Sequence, residues 1–319
     1  MSAARRAWLL NLDAERELEA RQNYAPTLHV LGIIERESPR LLGTLVAPGD
    51  VVLTERDFIH QTEAARAARG LPGVAWCPTR RATAMLAAAG ATPMPAPAME
   101  VLRTVNARPF AARLRASFRA GSFDKHVATS LDEALAQLAL PAGHGWLVRR
   151  TFGAAGRGRR RIAAGCLAED ERRWIEASLR RGPLVIEPWV EIEREYTRSG
   201  WVHDGGEVSI SRPCFQQTTR HGAWTRTACA DAGEVPRADD ECLAQTMSVV
   251  GAALSQAGYF GPFGIDAFRH RALDGTHRTV LNPLSEINAR FTMDWATAFA
   301  ADPARGIAHQ RVASLLGHG

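Results

Sequence analysis

The sequence predicts an α/β protein whose C-terminal part is α+β. Two observations carry this. Over residues 1–97 short apolar runs alternate with capped helical stretches, the order that builds a parallel sheet. Further on, apolar runs flank tight-turn signals such as Asp204-Gly205-Gly206 and Asp274-Gly275, the mark of antiparallel strands. With 319 residues, 46% hydrophobic and 23% charged, the chain can bury an ample core in two domains or one large composite.

In order, Trp8–Leu12 reads as a first strand, and Asp13-Ala-Glu-Arg-Glu-Leu as a helix start with acids in its first turn. Val51–Thr54 is a second strand, and Gln61–Arg69 a helix ended by Gly70. Gly73–Cys77 is a third strand, and Thr79–Ala89 a helix closed by Gly90. This is a Rossmann-like parallel sheet. No G-x-G-x-x-G follows its first strand, so a dinucleotide site is disfavoured. The proline-rich stretch Thr92–Pro97 reads as a connector.

Met99–Arg119 is mostly helical with a break near Pro109, Gly121–Ala128 suits a strand, and Ser130-Leu-Asp-Glu133 is a capping box. The strand Gly145–Arg150 runs into a loop with Gly153, Gly156 and Gly158 and interleaved arginines. Such a loop suits either a phosphate cradle or a solvated hairpin. Leu167–Arg180 is an amphipathic helix. Pro183–Val190 is a buried-strand pattern broken at Glu187-Pro188. Strand-like runs follow at Glu191–Tyr196, Gly200–Val202 and Glu207–Pro213. Phe215–Arg226 is polar and irregular and reads as a surface loop. The helix opened by Asp239-Asp240 carries Leu243, Met247, Val250 and Leu254 on one stripe.

The chemistry concentrates in Gly258–Asp294. Phe263–Phe268 and Thr279–Asn282 flank Asp274-Gly275 as a β-hairpin, and the second run leads into Ser285-Glu-Ile-Asn-Ala-Arg290. Side chains alternate along a strand, so Glu286, Asn288 and Arg290 share a face, and the partner strand offers Asp266. A symmetric hairpin sets Asp266 opposite Pro283, three residues short of Glu286. Pro283 cannot donate to a ladder, so a bulge near Asn282-Pro283 absorbs part of that offset. The face suits a hard divalent cation with phosphates, or simply water.

Taken together, the strand entering a glycine-rich loop (Leu147–Gly158), the Glu187-Pro-Trp-Val190 turn with Glu195 downstream, and Asp266 followed by Glu286-Ile-Asn-Ala-Arg290 resemble the ATP-grasp superfamily of ATP-dependent carboxylate ligases. The resemblance spans about residues 96–319. It implies a Rossmann-like domain at 1–97 followed by a two-lobed ATP-grasp fold at 98–319, with a lid subdomain at about 120–188. It also implies roles. Glu187–Val190 is the hinge that hydrogen-bonds adenine, with Trp189 or Val190 lining the base. Glu195 binds ribose, Arg149 takes the place of the family's α-phosphate lysine, and Gly153–Gly158 forms the lid over the phosphates. Asp266, Glu286 and Asn288 are the magnesium ligands, with Mn²⁺ an alternative to Mg²⁺. Arg290 steadies the transferred phosphoryl group. The implied reaction converts a carboxylate to an acyl phosphate with ATP, then joins it to an amine or related nucleophile.

The chain departs from the family at its two phosphate lysines. One position is Arg149, and the earlier helix offers Arg108 or Arg113; the single lysine, Lys125, matches neither. A nucleotide-binding protein without ligase chemistry is therefore the alternative. The net charge of +5 reflects an arginine preference (38 arginines), and the Arg157–Arg161 run lacks interleaved aromatics, so nucleic acid is disfavoured. The five cysteines are scattered with no C-x-x-C, which points to reduced thiols in a cytoplasm. The apolar patch Ala7–Leu10 is too short for a signal peptide, and no run approaches the ~20 residues of a membrane span. Expected partners are a small-molecule or peptide carboxylate and an amine; a homodimer stays open. Candidate substrate contacts are Asp13, which suits a helix cap equally well, and Arg220 and Arg226 in the polar loop.

Overall fold

The computed structural model describes residues 5–20, 23–60, 62–116, 118, 125–153, 156–218, 224–231, 233–276 and 278–300. Its first sheet is parallel, with strands β1 (Ala7–Leu9), β2 (Val51–Leu53), β3 (Pro72–Ala75) and β4 (Thr92–Pro93) in the order β2-β1-β3-β4. Around it lie α1 (Ala14–Glu19), α2 (Leu28–Glu37), α3 (Glu55–His60), α4 (Glu63–Ala67) and α5 (Arg80–Ala88). Thr79 opens α5 by accepting from the Ala82 amide, and Gly90 stops it with a φ of +77° that other residues resist.

After α6 (Met99–Asn106) and α7 (Arg108–Arg115) comes a small antiparallel sheet. Its strands are β5 (His126–Ala128), β6 (Trp146–Arg150), β7 (Arg159–Ile162) and β8 (Leu184–Pro188), ordered β5-β8-β6-β7. Helices α8 (Leu131–Leu138) and α9 (Glu169–Leu179) pack on it around Trp146, Val148, Ile175 and Ile186. The third sheet is antiparallel: β9 (Ile192–Val202), β10 (Val208–Ile210), β11 (Cys214–Thr218), β12 (Trp224–Cys229), β13 (Gly261–Arg271) and β14 (Thr279–Asn288). Its order is β12-β11-β9-β13-β14, with β10 on β9. The long helix α10 (Arg237–Gln256) buries its Leu243, Met247, Val250 and Leu254 stripe against this sheet, and α11 (Trp295–Ala300) follows β14.

One core joins the first and third sheets. Trp8, Val74 and Trp76 share a buried cluster with Phe263, Ile265, Leu284, Ile287 and Phe291. Trp8 and Phe291 pack at a tilt of 58° with ring centroids 5.5 Å apart, and Phe291 meets Trp295 edge-on at 5.1 Å. Among the described residues no helix is long and apolar enough to cross a membrane.

Several sequence expectations need correction. Of the loop expected over Phe215–Arg226, the described residues Phe215–Thr218 and Trp224–Arg226 are strand instead, in β11 and β12; residues 219–223 lie outside the described residues. These strands are polar because they sit toward the sheet edge, where pairing with β9 rather than apolar alternation fixes them. The helix expected over Gln61–Arg69 is shorter, Glu63–Ala67, and α3 stands apart from it. Thr92–Pro93 is an edge strand rather than connector, since an edge tolerates a proline. Residues 301–319 and much of Gly121–Ala128 lie outside the described residues.

Gly200 in β9 shows how tightly the third sheet meets α10. A Cβ there would lie 2.5 Å from the Phe263 ring and 2.9 Å from the Met247 methyl. Gly200→Ala is expected to cost about 1–3 kcal/mol of stability through overpacking. Urea unfolding should show a lower midpoint at unchanged slope.

Candidate active site

The β13–β14 register sets the site. Asp266 pairs directly with Glu286, and Gly264 with Asn288, while Phe268 pairs with Asn282. Pro283, Leu284 and Ser285 therefore stand against Ala267 alone, a bulge at the place the proline marks. The buried Asn282 carboxamide holds this bulge: its oxygen accepts from Arg115 Nε at 3.1 Å and from the Leu284 amide at 3.4 Å. The bulge brings the two carboxylates level. Asn288 Nδ2 donates to Asp266 Oδ2 at 3.2 Å, and its Oδ1 accepts from Arg290 at 3.0 Å. Asp266, Glu286, Asn288 and Arg290 thus form one contiguous group.

Three cations face it. Arg149 on β6 donates to Glu286 and lies 3.4 Å from Glu187, the penultimate residue of β8. Arg108, the first residue of α7, lies 3.1 Å from Glu286. Lys125 places Nζ 3.1 Å from Glu187 Oε2 and donates to the Ser285 carbonyl at 2.6 Å. Burial alone would raise the Glu286 carboxyl, yet Arg108, Arg149 and Lys125 hold it down at about 2. Glu187 is likewise lowered against its burial, by Lys125 and Arg149. Burial lowers Lys125 and Arg108. Arg149 is raised against its burial by Glu286 and Glu187.

Asp266 has the opposite setting. Burial, then Glu286, Asp294 and Glu195, push its carboxyl up to about 8, with Arg290 the opposing charge. Arg290 is engaged elsewhere as well: its guanidinium pairs with Glu15 of α1, Nε donating at 2.7 Å. That pair ties the carboxyl ends of the parallel strands to the site, helped by the Phe291 amide donating to the Trp76 carbonyl at 3.1 Å.

The other expected residues distribute as follows. The Arg108 guanidinium donates to the carbonyls of Arg150 (2.9 Å) and Gly153, so the glycine-rich loop folds over it. Gly156 and Gly158 hold φ of +75° and +71°; residues 154 and 155 lie outside the described residues. Val190 is buried against Phe268, while Trp189 carries Arg161 over its ring at 4.7 Å. The Trp189 amide is used within the protein, donating to the Gly145 carbonyl at 2.8 Å. The Glu187 carboxylate joins the cation cluster rather than the turn. Glu195 accepts from Thr218 Oγ1 at 2.6 Å, and burial raises it.

Asp13 is not brought into the group: both its oxygens accept from Arg81 at 3.0 Å. Arg113 is not among the cations that touch the carboxylates, whereas Arg108 is. Arg226 is exposed on β12, and Arg220 lies outside the described residues. Sequence reasoning missed Lys125, Glu15 and Asp294. Being the chain's single lysine was the available signal for Lys125. Glu15 was read as a first-turn acid. Asp294 is buried and accepts from Trp224 Nε1 at 3.0 Å and Gln216 Nε2 at 3.2 Å.

The residues present fit a bound anion and a divalent cation. Arg108 Nε and Arg149 Nε are buried without a hydrogen-bond acceptor. Asp266 sits among carboxylates, a concentration of negative charge that a cation would relieve. Among the described residues no three His, Cys, Asp or Glu side chains gather as a metal site. The donor set here is instead two carboxylates and an amide, which suits an ion that completes its shell with phosphate oxygens and water.

The Asp266 shift predicts a pH dependence. A carboxyl raised above its unfolded value of about 4 binds its proton more tightly in the folded state, so stability falls as pH rises from about 4 toward 8. Asp266→Asn should flatten that slope and stabilise the ligand-free protein at neutral pH by about 1 kcal/mol or more. Thermal melts from pH 5 to 8 decide it; parallel curves for the two proteins would refute it.

No protein-family model matches the chain, and no curated protein matches it. Solved structures do. Biotin carboxylase from Campylobacter jejuni, in its β-γ-ATP complex, aligns over 98% of this chain and 71% of its own, with a TM-score of 0.57 at 13% identity. D-alanyl-alanine synthetase A from Vibrio cholerae aligns over 100% of both chains, with a TM-score of 0.55 at 13% identity. An N5-carboxyaminoimidazole ribonucleotide synthetase in its ADP complex aligns over 97% of this chain and 75% of its own, with a TM-score of 0.51 at 14% identity. These neighbours are ATP-grasp enzymes, and the parallel first sheet followed by two antiparallel sheets gives this chain the ATP-grasp fold.

Proposed function

We propose that this chain is an ATP-dependent carboxylate ligase acting in the cytoplasm. It activates a small-molecule or peptide carboxylate as an acyl phosphate with Mg-ATP and joins it to an amine or related nucleophile, releasing ADP and phosphate. The observation that carries the reading is the meeting of Asp266, Glu286, Asn288 and Arg290 with the cations Arg108, Lys125 and Arg149. The fold is shared with D-alanyl-alanine synthetase A, which supports it.

The chain's own residues then have the following tasks. Arg108 and Arg149 receive phosphate oxygens with forked donors, and the Gly153–Gly158 loop closes over them. Lys125 holds Glu187 in place from behind the phosphates. Val190 and Trp189 line the adenine, and Glu195 takes the ribose. Asp266, Glu286 and Asn288 would hold Mg²⁺ or Mn²⁺, whose chemistry is to neutralise charge on the phosphoryl oxygens. Arg290 steadies the transferring group from the other side, where positioning and electrostatics do most of the catalysis. In the ligand-free state Arg108 and Arg149 neutralise Glu286. The triphosphate competes for those guanidiniums and so frees Glu286 to act as a ligand. Substrate contacts fall to Arg220 and Arg226 rather than to Asp13, whose oxygens are satisfied by Arg81.

A second reading has one observation in its favour: Glu286 is already saturated by two arginines where the family has lysines. It makes the chain a nucleotide-binding protein without ligase chemistry. Phosphate release from Mg-ATP in the presence of pooled amino acids and small carboxylates separates the two. The ligase reading expects turnover with at least one pool. It also expects Glu286→Gln to lower that turnover about 10²-fold or more while ATP affinity changes far less. Nucleotide binding with no phosphate release from any pool would support the second reading.

A further inference from the structure

Away from the nucleotide site, β11 and β12 bring two cysteines face to face. Cys214 and Cys229 are direct cross-strand partners, with their sulfurs 3.2 Å apart. The neighbouring pair is the hydrogen-bonded one, since the Ala230 amide donates to the Pro213 carbonyl. Cys214 and Cys229 therefore form a non-hydrogen-bonded pair, whose Cα atoms stand about 4.5 Å apart. That separation lies within the range a disulfide spans, roughly 4.4–6.8 Å. The remaining three cysteines have no such partner among the described residues: Cys77 is buried, Cys242 is half-buried and Cys166 is exposed.

We propose that Cys214 and Cys229 are a paired-thiol modification site that closes to a disulfide when the protein meets a low-molecular-weight disulfide. The two thiols are inequivalent in a way that sets the order of events. Cys229 keeps some exposure, whereas Cys214 is fully buried. Cys229 directs its S–H at the Thr297 carbonyl, 3.1 Å away, so Cys214 is the donor between the sulfurs. That hydrogen bond, with Arg212 nearby, lowers the Cys229 thiol against its burial; Cys214 is raised by the same bond and by burial. Cys229 thiolate attacks one sulfur of the small disulfide, forming a mixed disulfide and expelling one small thiolate. Cys214, deprotonated, then attacks Cys229 Sγ and expels the second. Two protein thiols and one small disulfide become one protein disulfide and two small thiols.

Closure cross-links the foot of a hairpin that reaches the nucleotide site. Gln216 of β11 donates to Asp294, and Thr218 donates to Glu195. The test uses the reduced, folded chain with glutathione disulfide as probe. Acid quenching, alkylation and peptide mass mapping then follow each cysteine. The expected result is loss of both Cys214 and Cys229 from the alkylated pool, a cross-linked peptide lighter by two hydrogens, and full reversal by a dithiol. Cys166 carries at most a glutathione adduct. In Cys229→Ser, Cys214 should stay unmodified while the chain is folded. The proposal is overturned if Cys229 accumulates as a glutathione adduct with Cys214 free. It is equally overturned if the linkage forms only in denaturant.

Discussion

The site depends on one electrostatic constraint: Glu187 is buried and Glu286 half-buried near the ends of their strands, and each stays ionised because cations from other elements reach it. Taking such charges out of water costs several kcal/mol apiece unless close partners return the loss. Those partners come from α7, β6 and the segment before β5, so the small sheet, the helix pair and the hairpin are held in register by the same few atoms. The hydrogen bonding is incomplete. Arg108 Nε and Arg149 Nε are buried without a hydrogen-bond acceptor. A buried network left unfinished is costly as pure structure, which supports the proposed phosphate-binding role of these two arginines.

Asp266 extends the same logic to the other sign. Its neighbours are mainly carboxylates, and the group that opposes them, Arg290, is shared with Glu15. The hairpin bulge forces this, because without it Asp266 would face an apolar position instead of Glu286. The bulge thus brings two like charges together, an arrangement that disfavours stability and supports the proposed cation site. The first sheet takes part through Glu15 and the Trp76 carbonyl, which anchor the Asn288–Phe291 segment from outside the sheet that carries it.

How much of this was legible depended on whether the signal was local. The α10 stripe, the Ser130 cap, the Gly90 stop and the parallel order of the first strands follow from periodicity and capping, and the structure has them. The Asn282-Pro283 bulge was legible too, because a proline within a paired strand leaves few alternatives. The β11–β12 hairpin was not: its residues are polar, and they become strands only because β9 offers an edge. Within the site, Arg108 was distinguishable from Arg113 only in three dimensions, by which helix position faces Glu286. Glu15 and Asp294 were invisible for the same reason, since each acquires its meaning from a partner hundreds or tens of residues away.

The contacts of Arg108 and Arg149 follow from geometry rather than from charge alone. An ammonium is a compact charge, whereas a guanidinium spreads its donors across a plane. Arg108 uses that spread to touch Glu286 while donating to the carbonyls of Arg150 and Gly153, and its own backbone amide donates to the Thr151 carbonyl. Arg149 bridges Glu286 and Glu187 in the same way. Through Arg108 the start of the glycine-rich loop, at Arg150 and Gly153, is thereby joined to the Glu286 carboxylate of the third sheet.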